Sequence, residues 1–422
     1  MSQNDIGKSY AWLVWSLAAI SFGYAFFHRV TPSVMVSDLM AEFAVSGAVL
    51  GTLSALYFYP YVLLQVPLGA MLETFGTRIL LSGCLLLAGF GSILFGLAHS
   101  IEVAYLGRFL IGFGSSVGFL GSLALASKWF PPHRFAFLAG LSMFVAMTSG
   151  MVAQAPLAYL IDIYGWRANI LALGTAGFAL SLLVFLFVRN QPASLEPATA
   201  RPLANREKWR ELGSALKAVM RNADVWKVSL VAATMSGPML VIGGLWGTPF
   251  LMVKFDLSRP EAAFFMSLLL LGWAVGAPVS GWLSDYIGRR RPILVTGLVL
   301  ICIMLAIVTG LENLPLGVVV ACFVMVGMSG GGMTASFGLV KDVMPASLAG
   351  AATGVVNSMT VASGAILQPF VGLALDLQWD GRLVDGARHY AEGDFRTAFT
   401  LVLAAAVIGL VTAVTLREAP AG

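Results

Sequence analysis

The sequence predicts an all-α integral membrane protein whose twelve transmembrane helices form two six-helix pseudo-repeats. Three observations predict this: an apolar composition with few charges, apolar runs of one membrane thickness, and an internal repeat. Of the 422 residues, 58% are hydrophobic and 11% charged, and the mean hydropathy is +0.86. A water-soluble surface on a chain of this length needs far more charge.

The apolar runs fall at roughly 11–36, 47–72, 79–98, 102–127, 134–162, 168–188, 226–253, 261–284, 292–310, 314–341, 348–376 and 395–416. Each is long enough, as a helix, to cross about 30 Å of hydrocarbon. None alternates with period two, so barrel strands are excluded. The first run has no basic leader and no small-residue cleavage site, and is read as a span and not a signal peptide. Cys84, Cys302 and Cys322 lie inside apolar runs without metal-type spacing. They are read as small core residues, and neither a metal nor a cofactor is expected.

Lys and Arg set the orientation. With the N-terminus inside, seventeen of the 25 basic residues fall on inner segments and six on outer ones. Both termini are therefore expected in the cytoplasm, in a multi-pass protein of the inner membrane. The net charge of +4 follows from this inner bias and does not indicate nucleic-acid binding. The expected surroundings are a lipid bilayer, with the chain a monomer.

The longest polar stretch, Arg189–Asp224, divides the chain. It opens with a Pro/Ala-rich segment and continues as REKWRELGSALKAVMRN, where Trp209, Leu212, Leu216, Val219 and Met220 recur at helical spacing. An amphipathic helix on the inner membrane face is expected. The domains are then an N-terminal bundle, 1–188, a cytoplasmic linker, 189–225, and a C-terminal bundle, 226–422.

The two bundles repeat each other. Gly69, Glu73, Gly76 and Arg78 match Gly281, Asp285, Gly288 and Arg290 at one offset. Pro131, Gly140, Ser149, Gly150, Gln154 and Asp162 match Pro345, Gly354, Ser363, Gly364, Gln368 and Asp376 two residues further on. Chance identities would scatter over many offsets, so the repeat is real. Repeats packed around a central site are the plan of secondary transporters.

GAMLETFGTRILL and GWLSDYIGRRRPIL resemble the loop signature of the major facilitator superfamily, and RFLIGFG resembles its helix 4 motif. The resemblance runs from helix 1 to helix 12. It implies a transporter working by alternating access, not an enzyme. Glu73 and Arg78 in the first copy, and Asp285, Arg289 and Arg290 in the second, are the expected gating residues. Such a charge cluster would hold the inner mouth closed and break on switching, while Gly76 and Gly288 permit the turn. The alternative is that these charges only set topology.

Two guanidinium groups sit inside spans. Arg29 lies about 27 Å along helix 1 and Arg108 lies at a similar depth in helix 4, with no acidic residue at that level. A charge there costs at least ~2.5 kcal/mol and normally faces a cavity or partner. Arg grips carboxylate or phosphate in a bidentate fork, so the pair points to an anion site. The other reading has both side chains snorkel to outer headgroups.

FHRVTPSVMVSDLMAEF and KWFPPHR are similar to the organic-anion symporter branch of that superfamily, with His28 where the branch often has an acidic residue and Ser115 where it often has a second. Proton coupling, if present, then falls to His28, which titrates near neutrality when unperturbed. Further lining candidates follow from spacing: Tyr24 with His28 on helix 1, and Ser54, Tyr57, Tyr61 and Gln65 on helix 2. Gln154 and Gln368 occupy repeat-equivalent places, and Trp246 and Asn357 are candidates in the second bundle. Each could equally be packing glue.

The function expected is secondary transport of a small organic solute, a carboxylate-bearing anion in first place, with protons as coupling partner. Amino-acid or short-peptide uptake, and an uncoupled facilitator, are the alternatives. A membrane enzyme is excluded by content: there is no HExxH and no paired intramembrane acid. No output domain is expected after Arg417, which argues against a receptor.

Overall fold

A computed structural model gives the fold and describes residues 3–192, 205–345 and 347–416. Apart from a two-stranded hairpin, Leu383–Val384 with Ala387–Arg388, its regular elements are helices. The Pro/Ala-rich part of the linker and Arg417 lie outside the described residues.

Among those residues, eleven stretches are long and apolar enough to cross a membrane. One of them covers Pro132–Phe187, 56 residues. As a straight helix it would be about 84 Å long, nearly three membrane thicknesses. Gly165 resolves this: its φ of 78° and ψ of 160° break the helix in two, a conformation that favours glycine. The stretch is therefore two antiparallel spans, and the total is twelve.

In chain order, span 1 is Gln3–Val30, followed by a 3-10 turn, Thr31–Val34, and a short helix, Val36–Phe43. Span 2 is broken into Gly47–Ala55 and Phe58–Phe75, and span 3 is Thr77–Gly96. Span 4 is broken into Ile101–Ser115 and Gly118–Trp129. Span 5 runs over Phe135–Val152 and on to the break at Gly165, and span 6 runs from there to Phe187. The linker helix is Asn205–Met220.

Span 7 starts as Ala223–Pro238, winds as a π-helix over Met239–Trp246, and ends as Gly247–Phe255. Spans 8 and 9 are Arg259–Ile287 and Arg291–Gly310. Span 10 is broken into Leu316–Gly331 and Thr334–Val343; spans 11 and 12 are Ala349–Gln378 and Glu392–Val414. An even number of crossings puts the first residues, the linker and the end of span 12 on one face, here the linker face.

The breaks and the π segment place irregular backbone at membrane depth. That is tolerated only inside the protein or along a cavity, and the π segment is buried throughout. Spans 2 and 11 pack together across the repeats, as do spans 8 and 5.

The linker helix departs from its expected place. Val219 is buried, and Leu212, Ser214, Ala215 and Ala218 border a cavity between the repeats. Its apolar side is turned to the mouth of the bundle, where buried surface was available, and not only to a membrane plane.

Candidate functional site

The cavity has a volume of about 1220 Å³. At the linker face it is bordered by Glu73, Lys341, Ser347 and the linker helix. Its walls are aromatic, aliphatic and Met-rich: Phe22, Phe26, Phe119, Met143, Met147, Met239, Trp273 and Met333. The polar groups are few. Arg29, Tyr61 and Gln65 come from spans 1 and 2, Ser236 from span 7, Thr334 from span 10, and Thr353, Asn357 and Thr360 from span 11. A large apolar cavity with a few convergent polar groups is the usual form of a small-molecule site.

Arg29 ends span 1 and is 8% exposed. Its guanidinium lies 4.8 Å from the Phe26 ring centre, 5.1 Å from Tyr61 and 5.9 Å from Tyr57. The ring faces attract the cation but do not neutralise it. Its Nε has no hydrogen-bond partner, and among the described residues no carboxylate pairs with it.

Arg108 looks similar in sequence and is placed differently. It is 1% exposed and does not line the cavity. Its Nη1 donates to the His28 carbonyl at 3.0 Å and Nη2 to the Ser54 carbonyl at 3.4 Å. Those two carbonyls sit beside Arg29 and at the break of span 2, where helix geometry leaves acceptors to be satisfied. The guanidinium also lies 5.3 Å from the Tyr57 ring centre. Tyr57 itself is fully buried and donates to the Ala25 carbonyl at 2.7 Å. Tyr57 thus stands between two cations, with Arg29 on the cavity side and Arg108 behind.

The other sequence candidates separate in the same way. Gln65 and Asn357 meet across the repeats, Asn357 Nδ2 donating to Gln65 Oε1 at 2.8 Å. Tyr24 and His28 do not line the cavity. Their rings meet edge to face at 4.6 Å, Tyr24 donates to the Leu173 carbonyl, and His28 Nε2 lies 3.3 Å from Ser92 Oγ. Ser54 is also buried away from it.

Gln154, Gln368 and Trp246 are fully buried around the π segment. Gln154 donates across the repeats to the Gly243 carbonyl at 2.9 Å, and its Oε1 accepts from Ser33 at 3.2 Å. Gln368 donates to the Leu240 carbonyl at 2.8 Å and its own carbonyl accepts from Trp246 Nε1. A π-helix leaves its carbonyls off the i−4 ladder, and the two repeat-equivalent glutamines occupy two of them. None of the three lines the cavity, and Trp246 borders a second pocket on the opposite face.

The loop motifs lie at the open, linker face. Arg290 pairs with Asp342 at 2.8 Å and with Asp285 at 3.6 Å, and Asp285 is 79% exposed. Arg78 Nε donates to the Phe185 carbonyl at 2.7 Å. Each of these contacts stays within one repeat. Glu73 borders the cavity mouth, and Arg289, in the second motif, is exposed.

Sequence reasoning passed over the opposite face. There Asp376 and Tyr390 meet the start of span 2, Arg388 pairs with Asp376, and Arg259 meets Asp38 and Asp162. The signal was available in the repeat, which pairs Asp162 with Asp376.

Known proteins resemble the chain along its length. It is 24% identical over 289 residues to the uncharacterised transporter YybO of Bacillus subtilis. It is 23% identical over 285 residues to the “Probable sulfoacetate transporter SauU” of Cupriavidus necator. Each match covers 66% of this chain and 66% of the relative. A “Putative tartrate transporter” of Agrobacterium vitis is 25% identical over 419 residues, 94% of this chain and 91% of the relative.

Among solved structures, a bacterial homologue of the human lysosomal transporter Spinster, inward-facing and unoccupied, superposes with a TM-score of 0.76 at 19% identity. It covers 97% of this chain and 99% of its own. The Major Facilitator Superfamily model matches residues 14–369 and 246–421. Twelve spans in two repeats, a cavity between them and a family model matched from end to end place the chain in the Major Facilitator Superfamily.

Proposed function

We propose that this chain is a secondary transporter that carries a small organic anion, bearing a carboxylate or similar acidic group, across the inner membrane by alternating access. The observation that carries the reading is Arg29: a nearly buried guanidinium bordering the cavity, with no carboxylate partner. A ligand carboxylate would supply the missing charge in a bidentate fork. Arg108, spent on main-chain carbonyls, is a positioning residue that fixes the Arg29 backbone and the break in span 2. Names given to relatives, sulfoacetate and tartrate among them, point to the same solute class.

In this reading the linker face is cytoplasmic, with both termini on that side, and the structure is the inward-open state. Residues 1–188 and 226–422 move as two bodies about the Arg29 level. A thermal-shift screen of purified protein with tartrate, sulfoacetate, an amino acid and an uncharged polyol tests the solute class. Stabilisation by the acids and not by the polyol is expected, since a ligand of the folded state raises its stability by mass action. An equal response to the polyol, or to the amino acid alone, would contradict it.

On coupling, one observation favours an uncoupled facilitator. His28 packs against Tyr24 and Ser92 and lines neither the central cavity nor the pocket on the opposite face, so neither space brings a proton directly to it. In proteoliposomes, an imposed pH gradient should then drive no accumulation. Accumulation by the wild type that is lost in His28→Gln would establish symport through His28 instead.

A further inference from the structure

We propose that Asp376 is a gating residue of the transport cycle that holds the face opposite the linker shut, with Asp162 as its weaker counterpart in the other repeat. Span 11 delivers Asp376 to that face. Its Oδ1 accepts from the Gly47 amide and its Oδ2 from the Ala48 amide, both at 2.8 Å. These are the first two N–H groups of span 2. Helix geometry leaves such amides without partners inside their own helix and makes that end electropositive. A carboxylate of the second repeat therefore caps a helix of the first, through charge-assisted bonds.

The outer loop braces the same carboxylate. The Tyr390 hydroxyl donates to Asp376 Oδ1 at 2.6 Å and accepts from the Gly47 amide at 2.9 Å. Arg388, on the hairpin, donates to Oδ1 at 3.0 Å. Burial, together with the Asp376 carboxylate, holds the Tyr390 phenol above its ordinary range, so it remains a proton donor. The backbones also meet. A Cβ on Gly372 would overlap the Gly47 carbonyl, and one on Gly51 would lie 2.6 Å from the Gln368 carbonyl oxygen. At their linker-face ends the same two spans border the cavity, through Gly69 and Gly354. Opening the closed face must break every contact to Gly47 and Ala48 together.

The repeat supplies an independent argument. The offset that maps Gly69 onto Gly281 maps Gly47 onto Arg259, and the later offset maps Asp162 onto Asp376. Asp162 does lie against Arg259, Oδ1 to Nε at 3.4 Å. The end of the fifth span of one repeat thus meets the start of the second span of the other, twice. The two copies differ in strength. The Asp376 side chain is 12% exposed, whereas Asp162 is 43% exposed and shares Arg259 with Asp38 at 2.7 Å. The inference does not depend on the solute being an anion.

The test uses full-length protein with Cys84, Cys302 and Cys322 replaced by Ser. Spin labels on His99→Cys and Asn313→Cys report the closed face, and labels on His133→Cys and Ser347→Cys report the linker face. Pulsed distance measurements on Asp376→Asn should raise the long-distance fraction at the closed face about tenfold, the scale of one charge-assisted bond. The linker-face pair should shorten in step, which an unfolded chain cannot do. Asp162→Asn should do the same more weakly. Tyr390→Phe removes one hydroxyl and should raise the long-distance fraction a few-fold; it decides the matter if Asp376→Asn fails to fold. An unchanged distribution in Asp376→Asn or, failing that, in Tyr390→Phe would overturn the proposal, as would a larger effect of Asp162→Asn.

Discussion

Arg29 and Arg108 face the same Tyr57 ring, at 5.9 Å and 5.3 Å from its centre. One borders a cavity with its charge unmet; the other is sealed in the bundle with two main-chain carbonyls as acceptors. The first is an arrangement that costs the empty protein energy and pays off only when an anion arrives. The second ties spans 1, 2 and 4 together whether or not anything is bound. A buried cation is thus not one kind of object: what its donors touch decides whether it serves binding or architecture.

The largest expected effect separates these roles by stability. Arg108→Gln leaves the His28 and Ser54 carbonyls short of a donor and opens a space behind Tyr57. It should cost about 2–4 kcal/mol, seen as a lower thermal midpoint of the empty protein. Arg29→Gln removes an unpaired charge and should leave that midpoint unchanged or higher. Equal loss in both would erase the distinction.

Binding reverses the order. Arg29→Lys keeps the charge but loses the planar fork, and should weaken binding of a carboxylate ligand roughly tenfold. Equilibrium titration of the purified variant checks this. Asn357→Ala frees Gln65 and removes a neutral hydrogen bond between the repeats. An effect of about 1 kcal/mol, fivefold in affinity, is expected from the same titration. The smallest effect belongs to Asp285→Asn. That carboxylate is 79% exposed and shares Arg290 with Asp342, so the open linker face should keep its label accessibility within about twofold.

The span count and the family were legible because they rest on composition, run length and loop motifs, which survive any detail of packing. The boundary between spans 5 and 6 was legible as well: Asp162, Arg167 and Asn169 flank Gly165, where the helix breaks. The split between Arg29 and Arg108 was not legible. Depth along a helix follows from counting, but the direction a side chain faces depends on helix phase. Phase is reset at the break between Ala55 and Phe58.

That is why Ser54, Tyr57, Tyr61 and Gln65, one face by spacing and all buried, divide into two that lie away from the cavity and two that border it. Gln154 and Gln368 misled for another reason. An amide in an apolar helix signals a partner of some kind, and here the partner is the π-wound backbone of span 7, which periodicity does not announce.

The central claim is that Arg29 binds the solute's acidic group, and ligand-induced stabilisation of the Arg29→Gln variant tests it most directly. Wild type and Arg29→Gln are heated with tartrate or sulfoacetate, whichever raises the wild-type midpoint, and with an uncharged polyol. The account predicts a concentration-dependent rise in the wild type with the acid alone, and none in Arg29→Gln even though the variant is no less stable when empty. A variant midpoint that rises with the acid as the wild type's does would contradict it.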